Sequence, residues 1–127
     1  MTTTHQCNPT TRSVHIGLTA PRDARRFVRQ QLDGDAAMSV VDDAELLVSE
    51  VVTVATLSSG STDALVGVSN EDGHVRVEVS DVHRGFALVP DGAALGLGIV
   101  DLVAPRWGVD LSKPGKTVWF ELEVRGD

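Results

Sequence analysis

Apolar and polar residues alternate most cleanly in two places, His74-Val75-Arg76-Val77-Glu78-Val79-Ser80 and Thr117-Val118-Trp119-Phe120-Glu121-Leu122-Glu123-Val124. A period of two is the signature of a strand with one buried face. Val75, Val77 and Val79 are therefore expected to face a core, with Arg76, Glu78 and Ser80 in water. In the second run Val118, Phe120, Leu122 and Val124 point one way, and Thr117, Trp119, Glu121 and Glu123 the other. Each run reads as the second arm of a hairpin. The first arms are Ala64–Val68, with a turn at Asn70-Glu71-Asp72-Gly73, and Trp107–Leu111, with a turn through Lys113-Pro114-Gly115. Ser13 to Leu18 alternates as one further short strand.

Three stretches keep helical spacing instead. Thr19 and Pro21 open the first, whose stripe Ala24, Phe27, Val28 and Leu32 ends at Asp33-Gly34. Ser39 or Asp42 caps the second, with Asp42, Asp43 and Glu45 in its first turn, where the helix dipole favours acids. Its apolar line is Ala44, Leu47, Val48, Val51 and Ala55, and Ser58-Ser59-Gly60-Ser61 ends it. Leu95 to Ala104 forms the third, stopped by Pro105. The segment from Asp81 to Ala94 holds Gly and Pro without any period and reads as a loop of functional length. The predicted order is β-α-α-β-β-α-β-β. A sheet that is apolar on one side needs its helices on that side alone, so the expected fold is α/β (α+β), a two-layer sandwich with a mixed sheet.

At 127 residues, 42% hydrophobic and only 4% aromatic, the chain suits one domain packed with Val, Leu and Ala. That domain is expected over residues 13–125, behind a flexible tail at 1–12 that is rich in Thr, Asn, Gln and Pro. A formal charge of −7 argues against direct contact with nucleic acid, which needs a basic face. It also disfavours anionic membranes, and no apolar run approaches the roughly 20 residues of a membrane span. The first residues have neither a basic region nor an apolar stretch, so the expected compartment is the cytoplasm. Cys7 is the only cysteine and has no internal partner. His5, His15, His74 and His83 are scattered without metal-ligand spacing and read as ordinary surface or strand-end histidines.

Chemistry concentrates in the second helix, where Glu50 and Val54 are four residues apart and share a face. Glu45-Leu46-Leu47-Val48-Ser49-Glu50-Val51-Val52-Thr53, Val75-Arg76-Val77-Glu78-Val79-Ser80-Asp81, Arg106-Trp107-Gly108-Val109 and Gly115-Lys116-Thr117-Val118-Trp119-Phe120-Glu121-Leu122 occur in one particular order. In that order and spacing the chain resembles the small bacterial anti-sigma-factor serine/threonine kinases. These belong to the Bergerat-fold ATP-binding superfamily of gyrases and histidine kinases. The resemblance spans roughly residues 14 to 124.

It implies a Bergerat ATP-binding fold and a set of roles. Glu50 matches the general base toward a partner's serine. Val54 stands where the family keeps an asparagine that binds magnesium, so no metal ligand is assigned. Magnesium takes oxygen ligands near 2 Å, and valine offers none. Asp81 matches the aspartate that accepts a hydrogen bond from the adenine amino group, and Thr117 the threonine that supports it. Gly85 keeps a glycine of the loop that follows, where His83 replaces another. Gly96 and Gly98 match the phosphate-cradling segment, where Ala94 replaces the first glycine of Gly-x-Gly and Leu95 an arginine. The adenine end is intact and the phosphate and magnesium end degraded.

The implied function is a regulatory protein that binds a sigma factor or an anti-anti-sigma protein, with weak or lost ATP binding and kinase activity. The alternative is an active ATP-dependent serine/threonine kinase of the same family. A third reading is a structural remnant serving as a dimer partner, and the family's sheet and first helix imply a homodimer contact. ATP is the cofactor the resemblance implies, with magnesium in question. Trp119, on the polar side of its strand, is either a partner contact or a residue covered by its own neighbours.

Overall fold

The computed structural model describes residues 10–15, 17–32, 38–58, 63–71, 73–81, 97–110 and 117–124. They form β1 (Thr10–His15), α1 (Ala20–Leu32), α2 (Met38–Ser58), β2 (Asp63–Glu71), β3 (His74–Asp81), α3 (Leu97–Val103), β4 (Arg106–Asp110) and β5 (Thr117–Glu123). This is the predicted order, in an α+β arrangement of three helices and a five-stranded sheet among the described residues.

The strands lie in the order β1-β2-β3-β5-β4 and every neighbouring pair is antiparallel, which corrects the expected mixed sheet. The reason is the last hairpin. α3 carries the chain across so that β4 runs in the same direction as β3, but β5 then folds back into the space between them. The two strands that would have formed a parallel pair never touch.

The alternation works as expected on the inner face. Val75, Val77 and Val79 of β3, Val118 and Phe120 of β5, and Ala64 and Val66 of β2 are buried against a helical layer. α1 lies by β1 and β2, α2 by β3 and β5, and α3 by β4. α1 contributes Ala20, Ala24, Phe27, Val28 and Leu32, its predicted stripe with Ala20 added.

Three boundaries differ from expectation. β1 begins at Thr10, three residues early, and ends at His15, because β2 extends to Glu71 and offers pairing partners as far as Val68. The β2–β3 ladder likewise closes at Glu71 opposite His74, and Gly73 takes φ +77, a left-handed turn position that suits glycine. α2 begins at Met38, so its first turn holds no acid. Val40 and Val41 are buried there, and this packing extends the helix by a turn. Two of the acids expected in its first turn serve elsewhere: Asp42 and Glu45 both pair with Arg29 of α1, the former at 3.4 Å. That clamp fixes α1 against one side of α2.

The outer face carries more than hydrated side chains. Arg76 donates from Nε to Glu78 (2.9 Å) and from Nη1 to Glu121 (3.1 Å), and its guanidinium lies 4.3 Å from the centre of the Trp119 ring. The far side of Glu121 lies 3.8 Å from Arg106. Trp119 is thus half-covered by its own neighbours, and the indole lies over Gly108 of β4. A Cβ at position 108 would come within 3.0 Å of Trp119 Cζ2. Gly108 has no positive φ, so an alanine there would ordinarily stabilise the chain by about 0.4–1 kcal/mol through the unfolded state. The crowded indole reverses the sign. Gly108→Ala is expected to cost about 1 kcal/mol in chemical denaturation, and to become neutral or stabilising when Trp119 is also alanine.

Candidate functional site

The register gathers one end of the sheet into a row: His15 opposite Asp63, Ala64 opposite Asp81, Ser80 opposite Thr117, and Thr117 opposite Asp110. The last turn of α2 leads to the same end, since Ser58 and Asp63 are five residue steps apart, about 18 Å at full extension. Val54 lies one turn before Ser58. The sequence-predicted residues Val54, Asp81 and Thr117 therefore belong to one end of the molecule, with Glu50 a turn further back.

Around α2, at about 100° per residue, the buried positions Val54, Leu47, Val40, Val51, Ala44, Val48, Val41 and Val52 fill a continuous arc. Glu45 lies just past the Val52 rim and marks the α1 side by its pairing with Arg29. Glu50 lies just past the opposite rim, about 40° from Val54. Both candidate residues thus occupy the edge of α2 that faces away from α1, toward the side where α3 packs. Glu50 is half-buried. Val54 is 1% exposed and lies at the rim of the buried arc.

Two hydroxyls of α2 near Val54 in sequence are already engaged with the backbone of their own helix. The Thr53 hydroxyl donates to the Ser49 carbonyl at 2.7 Å, and the Ser49 hydroxyl to the Leu46 carbonyl at 2.8 Å. Thr53 is exposed and points about 100° away from Val54. The alkyl side chain of Val54 itself offers no ligand to a magnesium ion. Among the described residues no three His, Cys, Asp or Glu side chains are grouped to hold a metal ion.

At the sheet end, the Ser80 and Thr117 hydroxyls share a hydrogen bond of 2.9 Å, half-buried across the β3–β5 ladder. Either can donate, which leaves one hydroxyl hydrogen free for a further acceptor. The strand alternation puts both hydroxyls on the same outer side of the sheet, and the backbone of Asp81 follows directly in β3. The Asp81 side chain lies outside the described residues, as do Gly85, Gly96, His83, Ala94, Leu95 and Cys7. Gly98 falls in the first turn of α3 and is half-buried.

Sequence reading singled out Glu50, Val54 and Thr117. It missed Ser80 as the partner of Thr117, although the pairing of two alternating strands brings like positions together. No family model matches the chain, and no functionally characterised protein shows significant similarity to it.

No helix among the described residues is long and apolar enough to cross a membrane.

Proposed function

We propose that the chain is a regulatory protein on a Bergerat-type scaffold of the anti-sigma-factor kinase class, binding a sigma factor or an anti-anti-sigma protein, with its nucleotide chemistry weakened or lost. The observation that carries this reading is Val54: a fully buried alkyl group one helical turn from the half-exposed Glu50. Phosphoryl transfer depends mainly on positioning and on neutralising charge at the phosphates. A site with valine in the ligand position lacks part of that neutralisation. The α+β layering of three helices on a five-stranded sheet supports a two-layer scaffold of this kind.

Glu50 favours the competing reading of an active kinase, since a half-exposed carboxylate can accept a proton from a partner's serine. Titration calorimetry with ATP, with and without magnesium, separates the two. The expected result is weak or undetectable binding that magnesium does not improve. Magnesium-dependent micromolar binding, together with phosphate transfer to a partner serine that disappears in Glu50→Ala, would replace the regulatory reading with the kinase one.

A further inference from the structure

The basic residues of this acidic chain are unevenly placed. Of its 11 Lys and Arg, five (Arg12, Arg22, Arg25, Arg26 and Arg29) lie in β1 and α1, where Asp23 is the only acid. Arg29 is engaged with α2. Between the two elements runs an open groove of about 250 Å³ lined by Arg12, Ser13, Val14, His15, Asp23 and Arg26. Arg12 is held there by its guanidinium, 5.2 Å from the centre of the Phe27 ring. Asp23 accepts a hydrogen bond from Thr19 (3.1 Å) and lies 3.9 Å from Arg22, so much of its charge is answered outside the groove. Arg12 and Arg26 are exposed and give the groove its sign.

One wall of this groove is the outer strand of the sheet. In an antiparallel ladder every second residue of an edge strand turns its N–H and C=O away from its only neighbour, ready for another strand. Among the described residues nothing pairs with that edge. Beyond β1, Leu18 is fully exposed at 101% and offers an apolar contact at the strand's exit.

We propose that the β1 edge and the β1–α1 groove bind an extended acidic segment of a partner protein by strand addition. Backbone hydrogen bonds to β1 supply the docking, and Arg12 and Arg26 select carboxylates on alternate residues. A second copy fits poorly, because a two-fold contact through this edge sets the same arginines against each other. The inference does not depend on the nucleotide reading.

The test uses the full chain, isotopically labelled for amide NMR, and a capped octapeptide of alternating Val and Glu. Saturable shifts are expected in Thr10–His15 and along α1. Arg12→Glu with Arg26→Glu should weaken binding about tenfold or more, as should replacing every Glu of the peptide by Lys. Both arginines are exposed, and unchanged β3 and β5 resonances verify that the variant folds. N-methylating the peptide amides that face β1 should abolish binding, whereas methylating the opposite set should not. Equal affinity for both methylated forms would remove strand addition. Equal binding of the Lys peptide or of octathymidylate would remove the acidic protein segment as ligand. Shifts elsewhere, or none, would overturn the site, and self-association through β1 without peptide would give the edge to a second copy.

Discussion

Val54→Asn is expected to unfold more easily than the parent chain when no nucleotide is present, and to recover part of that loss when ATP and magnesium are added together. Val54 is 1% exposed, so the substitution forfeits the burial of an isopropyl group and puts an amide in a position closed to water. An amide without partners costs about 1–3 kcal/mol on top of the lost burial, for a total near 2–4 kcal/mol. For a domain of this size each kcal/mol shifts the thermal midpoint by roughly 3–5 °C. If the position lacks only an oxygen ligand, the amide gains a use once magnesium and phosphates arrive. Ligand at about 100 times its dissociation constant would return about 2.7 kcal/mol. Magnesium alone and ATP alone should return much less. The measurement is a thermal denaturation series with the four combinations of ATP and magnesium, on parent and variant. A variant that is destabilised and stays so in all four, alone and with Ala94→Gly, would count against a degenerate nucleotide site. So would a parent that ATP and magnesium stabilise as strongly as they do the variant.

The coupling between stability and site in that experiment follows from how α2 is built. One helix supplies the central apolar arc of the α layer and the candidate chemistry at its rim. Val54 belongs to the rim by angle, about 40° from Glu50, and to the interior by burial. A sequence can place valine there for packing alone, at no cost to the fold. On the function proposed above, valine in place of a polar ligand at this position would stabilise the scaffold while removing part of its chemistry, the trade that strained or polar functional sites commonly present.

The elements were legible where a single period dominates. β3 alternates without exception and β5 with Trp119 as its one apolar residue on the polar side, and α1 shows its stripe from Ala24 to Leu32, so sequence alone places them to within a few residues. α2 was harder at its start. Asp42, Asp43 and Glu45 look like first-turn acids, yet Asp42 and Glu45 are drawn to Arg29, a tertiary pairing that no local pattern reveals. Strand order was not legible either, because the insertion of β5 between β3 and β4 depends on which strand completes the sheet after the crossover. The same limit applies to the outer face. Arg76 and Glu121 are 45 residues apart and meet only through the β3–β5 register. On the site side, helical spacing puts Glu50 and Val54 on one face, but only the family resemblance singles them out, since by spacing alone Val54 is ordinary core. The groove between β1 and α1 was hidden, since Arg12 and Arg26 come from separate elements and neither is unusual by itself.

Phe120→Ala is expected to produce the largest loss of stability of any single truncation considered, about 3–5 kcal/mol, while Trp119→Ala next to it costs about 1–2 kcal/mol. The two side chains are consecutive in β5 and of similar size, so the difference measures the sheet's two faces. Phe120 is fully buried, opposite Val77 on β3 and Trp107 on β4, and with Phe27 it heads the largest fully buried side chains. Its surroundings are mostly Val, Leu and Ala, which have little reach to close the cavity an alanine would leave. Phe120→Leu keeps most of the volume and should cost less than about 1.5 kcal/mol. Trp119 is half-exposed, and its losses are the ring's contact with Gly108 and with Arg76, whose ion pairs to Glu78 and Glu121 remain. Against a total stability of about 5–15 kcal/mol, Phe120→Ala leaves a marginal domain. Guanidinium denaturation with an unchanged slope would measure both variants on one scale. A Trp119→Ala cost as large as that of Phe120→Ala would mean that the outer face is packed like a core. The helical layer would then not be the only cover on this sheet, and the arrangement of one buried and one open face would have to be given up.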